Sequence, residues 1–384
     1  MNFSIFYFII LLQLYPTFNI NINYNVNWSR TRREKERDLR GIIMGTQIGA
    51  LLTKNPITYE ELSGKVIAID AYNTIYQFLS AIRQRDGSLL TDSSGNPTSH
   101  LTGLFSRTSK LRDSSIKPVF IFDGKPPDMK RDTLDKRKEC KQDAARKYEI
   151  AKDEGNIENM KKYAQGTSRI TPQILEESKK ILDLMGIPYV QAESEAEAQA
   201  AFMVTRGDAD SVGSQDYDSF LFGAENVVRN MGSSGKRKVP GKKAYISITP
   251  EDISLSESLA NLELTREQLI DMSICIGTDF NEGIYRVGAK TALKLIQKHE
   301  NIDTIIRKED KDIRSEYPVE EIRNFFLDPP VTSDYDLKWK KPRSNDLFDY
   351  LVNERDFSEK LVNGNTKTLM DAVGGECQSC LDNW

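Results

Sequence analysis

Short apolar runs alternate with helix-like stretches between residues 44 and 223. Lys65-Val-Ile-Ala-Ile-Asp70 is a brief β run that ends in an acid, and the following AYNTIYQFLSAIRQ predicts a helix. Pro118-Val-Phe-Ile-Phe-Asp123 repeats the arrangement with Gly-Lys-Pro-Pro as its loop, and the segment 99–112 between the two reads as another helix. Segments 187–190 and 211–215 are further strand candidates, with a helix from about 195 to 206 between them. Apolar strands separated by helices predict an α/β fold with a mostly parallel central sheet flanked by helices. Ligands of such sheets bind outside the carboxyl ends of the strands. Asp70, Asp123 and Asp216 sit at such ends and Glu195 and Glu197 just past another, so the fold brings them to one edge.

The pattern changes on either side of this stretch. Residues 125–170 are charged and rich in helix formers, with no apolar stripe wide enough for a core helix. They read either as a solvated helical excursion or as a basic arch over the acidic edge, with Lys130 and Arg137 on the approach to a phosphate. After Gly223 come a basic loop, GSSGKRKVPGKK, a β-like AYISI, and a helix from about 265 to 276. GTDFNEGIYRVGAK, containing Asp279, then joins it to a second helix, TALKLIQKHE. This is an ordinary helix connection or a hairpin whose second helix offers backbone N–H groups to a DNA phosphate. Residues 1–43 differ from everything that follows. Phe3 to Tyr15 is apolar apart from Ser4 and Gln13, an Asn/Ile/Tyr-rich run follows, and then RTRREKERDLR. The apolar stretch is too short for a typical span of about 20 residues and lacks the marks of a secretory signal. Met44 is therefore the expected start, with a membrane anchor as the alternative for the first 43 residues.

Glu195/Glu197 and Asp216/Asp218 are acidic pairs, each spaced by one residue. Ser194 and Glu197 have the spacing of a helix capping box, and Asp216-Tyr217-Asp218 that of an Asx turn. Capping uses only one acid of the first pair and leaves Glu195 over. Carboxylates crowded together resist ionising together unless a cation sits among them, so four acids in one supersecondary unit favour a divalent metal. The 384-residue chain has a net charge of -4, but charge distribution says more than the sum. From Lys125 to Lys147 nine basic residues face five acids, and from Gly232 to Lys243 five basic residues face none. Acidic sites beside basic patches suit metal-dependent handling of a polyanion. Four scattered cysteines give no disulfide framework, and Cys377-Gln-Ser-Cys380 has neither a second CxxC nor a nearby His. With only His100 and His299 present, His-based metal sites and Ser-His catalysis are largely excluded, and oxygen ligands suit Mg²⁺ or Mn²⁺.

From Met44 to Trp384 the chain resembles the flap endonucleases, structure-specific 5′ nucleases of replication and repair, in their archaeal form. The resemblance rests on MGTQIGALL, IAIDAYNTIYQFLSAIRQ, TSHLTGLFSRT, KPVFIFDGKPPDMK, LMGIPYVQAESEAEAQAA, SQDYDSFLFG and ICIGTDFNEGIYRVGAKTALKLIQKH, in family order. It implies a PIN-like nuclease fold with a helical arch and a helix-hairpin-helix (helix-two-turn-helix) element. It implies two Mg²⁺ ions, replaceable by Mn²⁺, on Asp70, Asp123, Glu195, Glu197, Asp216, Asp218 and Asp279. It also implies Lys130 and Arg137 steering the scissile phosphate, Tyr76 stacking on a base near the cut, DNA contacts at Arg83, Arg107 and Glu195, and Gly277 and Asp279 in the hairpin that engages the duplex. Gln378, Leu381 and Trp384 resemble the tail motif that binds a sliding clamp of the proliferating-cell-nuclear-antigen type. Three departures stand out. Arg286 and Ala289 replace the hairpin's usual first Gly and following Pro, Gly45 holds the place near the active site that follows the initiator Met in the family, and the tail closes on one aromatic where the family has two.

The expected organisation is an extension at 1–43, nuclease regions at 44–124 and 171–264, an arch at 125–170, a hairpin and helical region at 265–360, and a clamp-binding tail at 361–384. The expected activity is Mg²⁺-dependent cleavage of branched DNA carrying a 5′ flap, with 5′-3′ exonuclease activity, by an archaeal cytoplasmic monomer without membrane association. The alternatives are a sibling gap or bubble cutter and a catalytically weak scaffold tethered to the clamp. The scaffold predicts loss of one or more acids, and none is missing.

Overall fold

The structure, a computed structural model, describes residues 46–231, 236–238 and 245–381. Its centre is a seven-stranded sheet. The strands are β1 (Asn55–Pro56), β2 (Val66–Asp70), β3 (Lys117–Phe122), β4 (Tyr189–Gln191), β5 (Ser211–Gly213), β6 (Asn226–Arg229) and β9 (Glu251–Ser254), in the spatial order β1-β9-β6-β5-β2-β3-β4. β2 to β6 are mutually parallel, whereas β9 pairs antiparallel with both β6 and β1. The mostly parallel α/β architecture is as the alternation of strands and helices predicts. AYISI does form a strand, β8 (Tyr245–Ser247), but it pairs with β7 (Lys236–Lys238) outside the central sheet.

The strands bury both faces. Ile67 and Ile69 of β2 and Phe120 and Phe122 of β3 enter one apolar cluster, and the intervening Ala68, Val119 and Ile121 enter the other. This period-two split explains why the strand runs are continuously apolar instead of alternating. The first cluster is covered by α1 (Ala71–Ala81), α2 (Ser99–Asp113) and α5 (Pro172–Met185), and the second by α6 (Ala196–Arg206) and α9 (Arg266–Ile276).

The charged stretch after β3 becomes α3 (Arg131–Asp153) and α4 (Ile157–Ala164). Only Ala151 of α3 is buried, so this long helix stands away from the core. Helix α9 leads through β10 (Gly283–Ile284) into α10 (Ala289–His299), and β10 pairs with β11 (Ile313–Arg314). The chain closes with α14 (Glu359–Leu381). Among the described residues no helix is long and apolar enough to cross a membrane.

One local expectation is overturned. Ser194 does not cap α6. The cap position belongs to Glu195, whose side chain makes no capping bond. The first helical N–H, of Ala196, instead donates to Asp123 Oδ1 at 2.7 Å. A carboxylate from the neighbouring strand end thus takes over the capping role, and Glu195 and Glu197 are free for other partners.

Candidate metal centre

The seven acids converge from separate segments. Asp70 closes β2 and caps α1, its Oδ1 accepting the Asn73 N–H at 2.9 Å. Asp123 follows β3 and is tied to α6 through Ala196. Next to it, Gly124 donates its N–H to the Ser194 carbonyl at 2.7 Å. A Cβ at Gly124 would collide with the carbonyl oxygens of Ala192 and Glu193, so only glycine lets these two loops come so close. Asp216 and Asp218 leave β5. Asp216 Oδ2 accepts from Asn73 Nδ2 at 2.6 Å, and Asp218 Oδ1 accepts the Thr46 N–H at 2.7 Å. Ser214 bridges the two pairs, donating to Glu197 Oε1 at 3.3 Å and accepting the Asp216 N–H at 3.1 Å.

Asp279 comes from the segment between α9 and β10 and meets α3. Arg137 Nη2 reaches its two carboxylate oxygens at 2.7 and 2.9 Å, and Thr133 donates to its carbonyl at 2.7 Å. Lys130 bonds Glu195 and lies 3.3 Å from Asp279, while Lys136 pairs with Glu282. One face at the start of α3 therefore docks on the acids, while most of the helix is exposed. Lys130 and Arg137 both face the acids.

Asp70, Glu195 and Asp218 are buried, and Asp123, Glu197, Asp216 and Asp279 half-buried. Withdrawal from water, with the charges of Asp123 and Asp216, holds Asp70 well above the usual carboxyl range. Burial and then Asp218 and Asp216 do the same to Glu197. Burial, then Glu195, pushes Asp123 up to about 6, and burial, then Asp279, pushes Asp218 up to about 7. Asp216 is also raised, by burial and Asp279. Burial disfavours the charged form of Lys130, but Glu195 and Asp279 outweigh it and hold the ammonium protonated.

Among the described residues no three Asp, Glu, His or Cys side chains enclose a common point at ligand spacing as they stand. The donor chemistry nonetheless fits a hard divalent ion. The set offers oxygen only, and its raised proton affinities express a surplus of buried negative charge that a divalent cation relieves. Both histidines lie elsewhere, His100 beside Glu177 at 3.0 Å and His299 beside Glu309 at 2.7 Å.

The other candidate residues surround this centre unevenly. Tyr76, half-buried on α1, has the Lys141 ammonium 5.2 Å from its ring. Arg107, on α2, lines a cavity with Asn73, Gln77, Ser214 and Gln215. Arg83 is engaged internally, donating at 2.7 Å both to the Gly87 carbonyl and to Ser168 Oγ. Gly277 ends α9 at φ 112, in the region that favours glycine. Arg286 adopts φ 61, in the left-handed region that favours glycine. The guanidiniums of Arg286 and Arg314 each lie 5.1 Å from the ring of exposed Tyr285. Ala289 opens α10. Gly45, Trp384 and the side chains of Gln378 and Leu381 lie outside the described residues.

Three contributors had no sequence signal of their own: Asn73, Ser214 and Thr46. Asn73 sits three residues after Asp70, where a helix-capping acid finds its N–H, but nothing local points to Asp216.

The XPG N-terminal domain family matches residues 42–144 and the XPG I-region family residues 186–279. Flap endonuclease 1 of Methanococcoides burtonii is 52% identical over 341 residues, which are 89% of this chain and 100% of that protein. Flap endonuclease 1 of Pyrococcus furiosus is 46% identical over 342 residues, 89% of this chain and 99% of that one. Among solved structures, flap endonuclease-1 from Methanococcus jannaschii matches with a TM-score of 0.68 and 38% identity, covering 86% of this chain and 100% of that one. The catalytic core of Rad2 in complex with DNA substrate matches with a TM-score of 0.64 and 24% identity over 84% and 97%, a likeness of fold alone.

Proposed function

Since the chain belongs to the flap endonuclease family of XPG-type nucleases, structure-specific phosphodiester hydrolases of DNA replication and repair that use divalent metal ions, we propose that its seven gathered carboxylates hold two Mg²⁺ ions and cut 5′ flaps at their base. The observation that carries this reading is the convergence of Asp70, Asp123, Glu195, Glu197, Asp216, Asp218 and Asp279 on one sheet edge, facing Lys130 and Arg137 of the arch. Mn²⁺ serves in place of Mg²⁺, since the donors are all oxygen.

Bound divalent ions supply Lewis-acid stabilisation of the phosphoryl group and activation of the attacking water. The protein's own residues do the rest. Asp70, Asp123, Glu195, Glu197, Asp216, Asp218 and Asp279 would hold the ions, with Glu197 kept beside Asp216 through Ser214. Lys130 and Arg137 exchange their present carboxylate partners for the scissile phosphate, placing fixed positive charge where negative charge develops. Tyr76 stacks on the base next to the cut and offsets part of the cost of unpairing it. Arg83 and Arg107 contact the nucleic acid beyond the centre, and Gly277 and the hairpin hold the duplex. Arg286, in place of glycine, adds a phosphate-seeking charge there. The same centre trims 5′ ends exonucleolytically.

Gln378, Leu381 and Trp384 dock on a sliding clamp, and the protein works as a monomer in the archaeal cytoplasm beside the nucleoid. The test is cleavage of a labelled double-flap DNA in Mg²⁺, with Asp216→Ala as control. Cutting near the flap base that the control lacks supports the reading. Metal-independent binding without cutting overturns it in favour of a scaffold.

A further inference from the structure

We propose that Asn73 is a positioning residue of the metal centre, fixing the Asp216 carboxylate through its side-chain amide while Gln77 fixes the amide in turn. Asn73 is 6% exposed and lies on the first turn of α1. Its main chain and side chain serve different acids. The N–H donates to Asp70 Oδ1 at 2.9 Å, and Nδ2 donates to Asp216 Oδ2 at 2.6 Å, across 143 residues of sequence. One residue therefore links the acid that ends β2 to the acid that leaves β5, neighbouring strands of the sheet.

The orientation of the amide follows from its partners. An ionised carboxylate only accepts hydrogen bonds, so the face of Asn73 turned to Asp216 carries the nitrogen. Its Oδ1 then points the other way and accepts from Gln77 Nε2 at 2.6 Å, one helical turn along α1. Gln77 thus holds the amide plane, and the plane aims Nδ2. With Oδ2 of Asp216 committed to Asn73, Oδ1 has no protein donor among the described residues and is the oxygen left to face an ion. Partners of this outer kind orient the ligands of metal sites, and their loss typically costs about 10–100-fold in metal affinity or activity.

The inference rests on the metal-centre reading above, and one experiment separates the two. Mn²⁺ binding to the full chain in the absence of DNA is measured by the paramagnetic resonance of the free ion. The proteins compared are wild type, Asn73→Leu, Gln77→Leu and the double variant. Leucine approximates the size of asparagine, and the Asp70 cap survives because it uses the backbone N–H. Expected is a Mn²⁺ dissociation constant raised about 10–100-fold in Asn73→Leu, a smaller rise in Gln77→Leu, and a double variant no weaker than Asn73→Leu alone. Unchanged Mn²⁺ affinity in Asn73→Leu, even with a lowered melting temperature, assigns Asn73 a structural role only and overturns the proposal. A Gln77→Leu effect that adds in full to that of Asn73→Leu overturns the relay. If Asn73→Leu does not fold, Gln77→Leu decides, and wild-type affinity in it overturns the relay. A wild type that binds no Mn²⁺ refutes the metal centre itself.

Discussion

Arg137 Nη2 reaches both carboxylate oxygens of Asp279, at 2.7 and 2.9 Å, across 142 residues of sequence. The contact joins α3 to the segment between α9 and β10 directly at the acidic centre, with Lys130 bonded to Glu195 beside it. Charge-assisted bonds of this kind are stronger than neutral ones, so both cations are held at the centre before any phosphate arrives.

Removing either cation is expected to slow cleavage far more than it weakens binding. A donor aimed at developing charge is worth about 10²–10³-fold in turnover. Arg137→Ala and Lys130→Ala are each expected to lose about that much under single-turnover conditions, with flap-DNA affinity changed only a few-fold. The same substitutions release the start of α3 from Asp279 and Glu195. Amide hydrogen exchange over residues 131–137 is therefore expected to quicken in the DNA-free protein. Wild-type cleavage rates in both variants would refute the roles given to these cations.

The acids predict an inverted dependence of stability on pH. Asp123 and Asp218 stand at about 6 and about 7 in the folded chain, raised from an ordinary 3.8, and Asp70, Glu197 and Asp216 are raised too. A carboxyl raised on folding costs no stability below its unfolded pKa, and the cost grows until pH exceeds the folded value. In EDTA the melting temperature is thus expected to fall as pH rises from 5 to 8, opposite to the usual trend for salt-bridged carboxylates. Asp218→Asn is expected to flatten that slope, and millimolar Mg²⁺ to raise the melting temperature most at the alkaline end. A melting temperature that climbs over this range in EDTA would show that the acids are not crowded as described.

Much of this arrangement was legible along the chain, for local reasons. β2 and β3 announce themselves as apolar runs that end in Asp70 and Asp123, and a parallel sheet sends such ends to one edge. Lys130, Arg137, Glu195 and Asp279 each stand out along the chain, although their pairing does not. What stayed hidden depends on distant segments. The Ser194 capping box reads correctly from spacing and still loses, because Asp123 reaches the Ala196 N–H first. The short strands β1 and β9 carry no apolar run, and they extend the sheet antiparallel because β6 offers an edge to β9 and β9 in turn to β1. Asn73 looks like an ordinary helix residue until β5 brings Asp216 beside it.

Tyr76 offers a separable test of substrate handling. Its half-buried ring lies on α1, the helix capped by Asp70, and Lys141 of the arch faces it. Stacking of a base on an aromatic ring is worth about 1–3 kcal/mol, or roughly 5–150-fold at 1.4 kcal/mol per decade. Tyr76→Ala is expected to lower single-turnover cleavage within that range, whereas Tyr76→Phe, which keeps the ring, stays close to wild type. Equal losses in both variants would mean that the hydroxyl, not the ring face, is what matters.

The start of the described chain lies against the centre and offers one more test. Thr46 gives its N–H to Asp218 Oδ1 at 2.7 Å, and a Cβ at Gly49 would strike the ring of Tyr217, so residues 46–49 pack against the Asp216–Asp218 segment. A side chain at position 49 must displace Tyr217, which stands between Asp216 and Asp218 in the chain. Gly49→Leu is expected to slow cleavage of a double-flap DNA, since disturbed partners of metal ligands typically cost about 10–100-fold in metal affinity or activity, with duplex affinity little changed. Asp216→Ala sets the floor. Wild-type turnover in Gly49→Leu would mean that Tyr217 gives way without moving the acids.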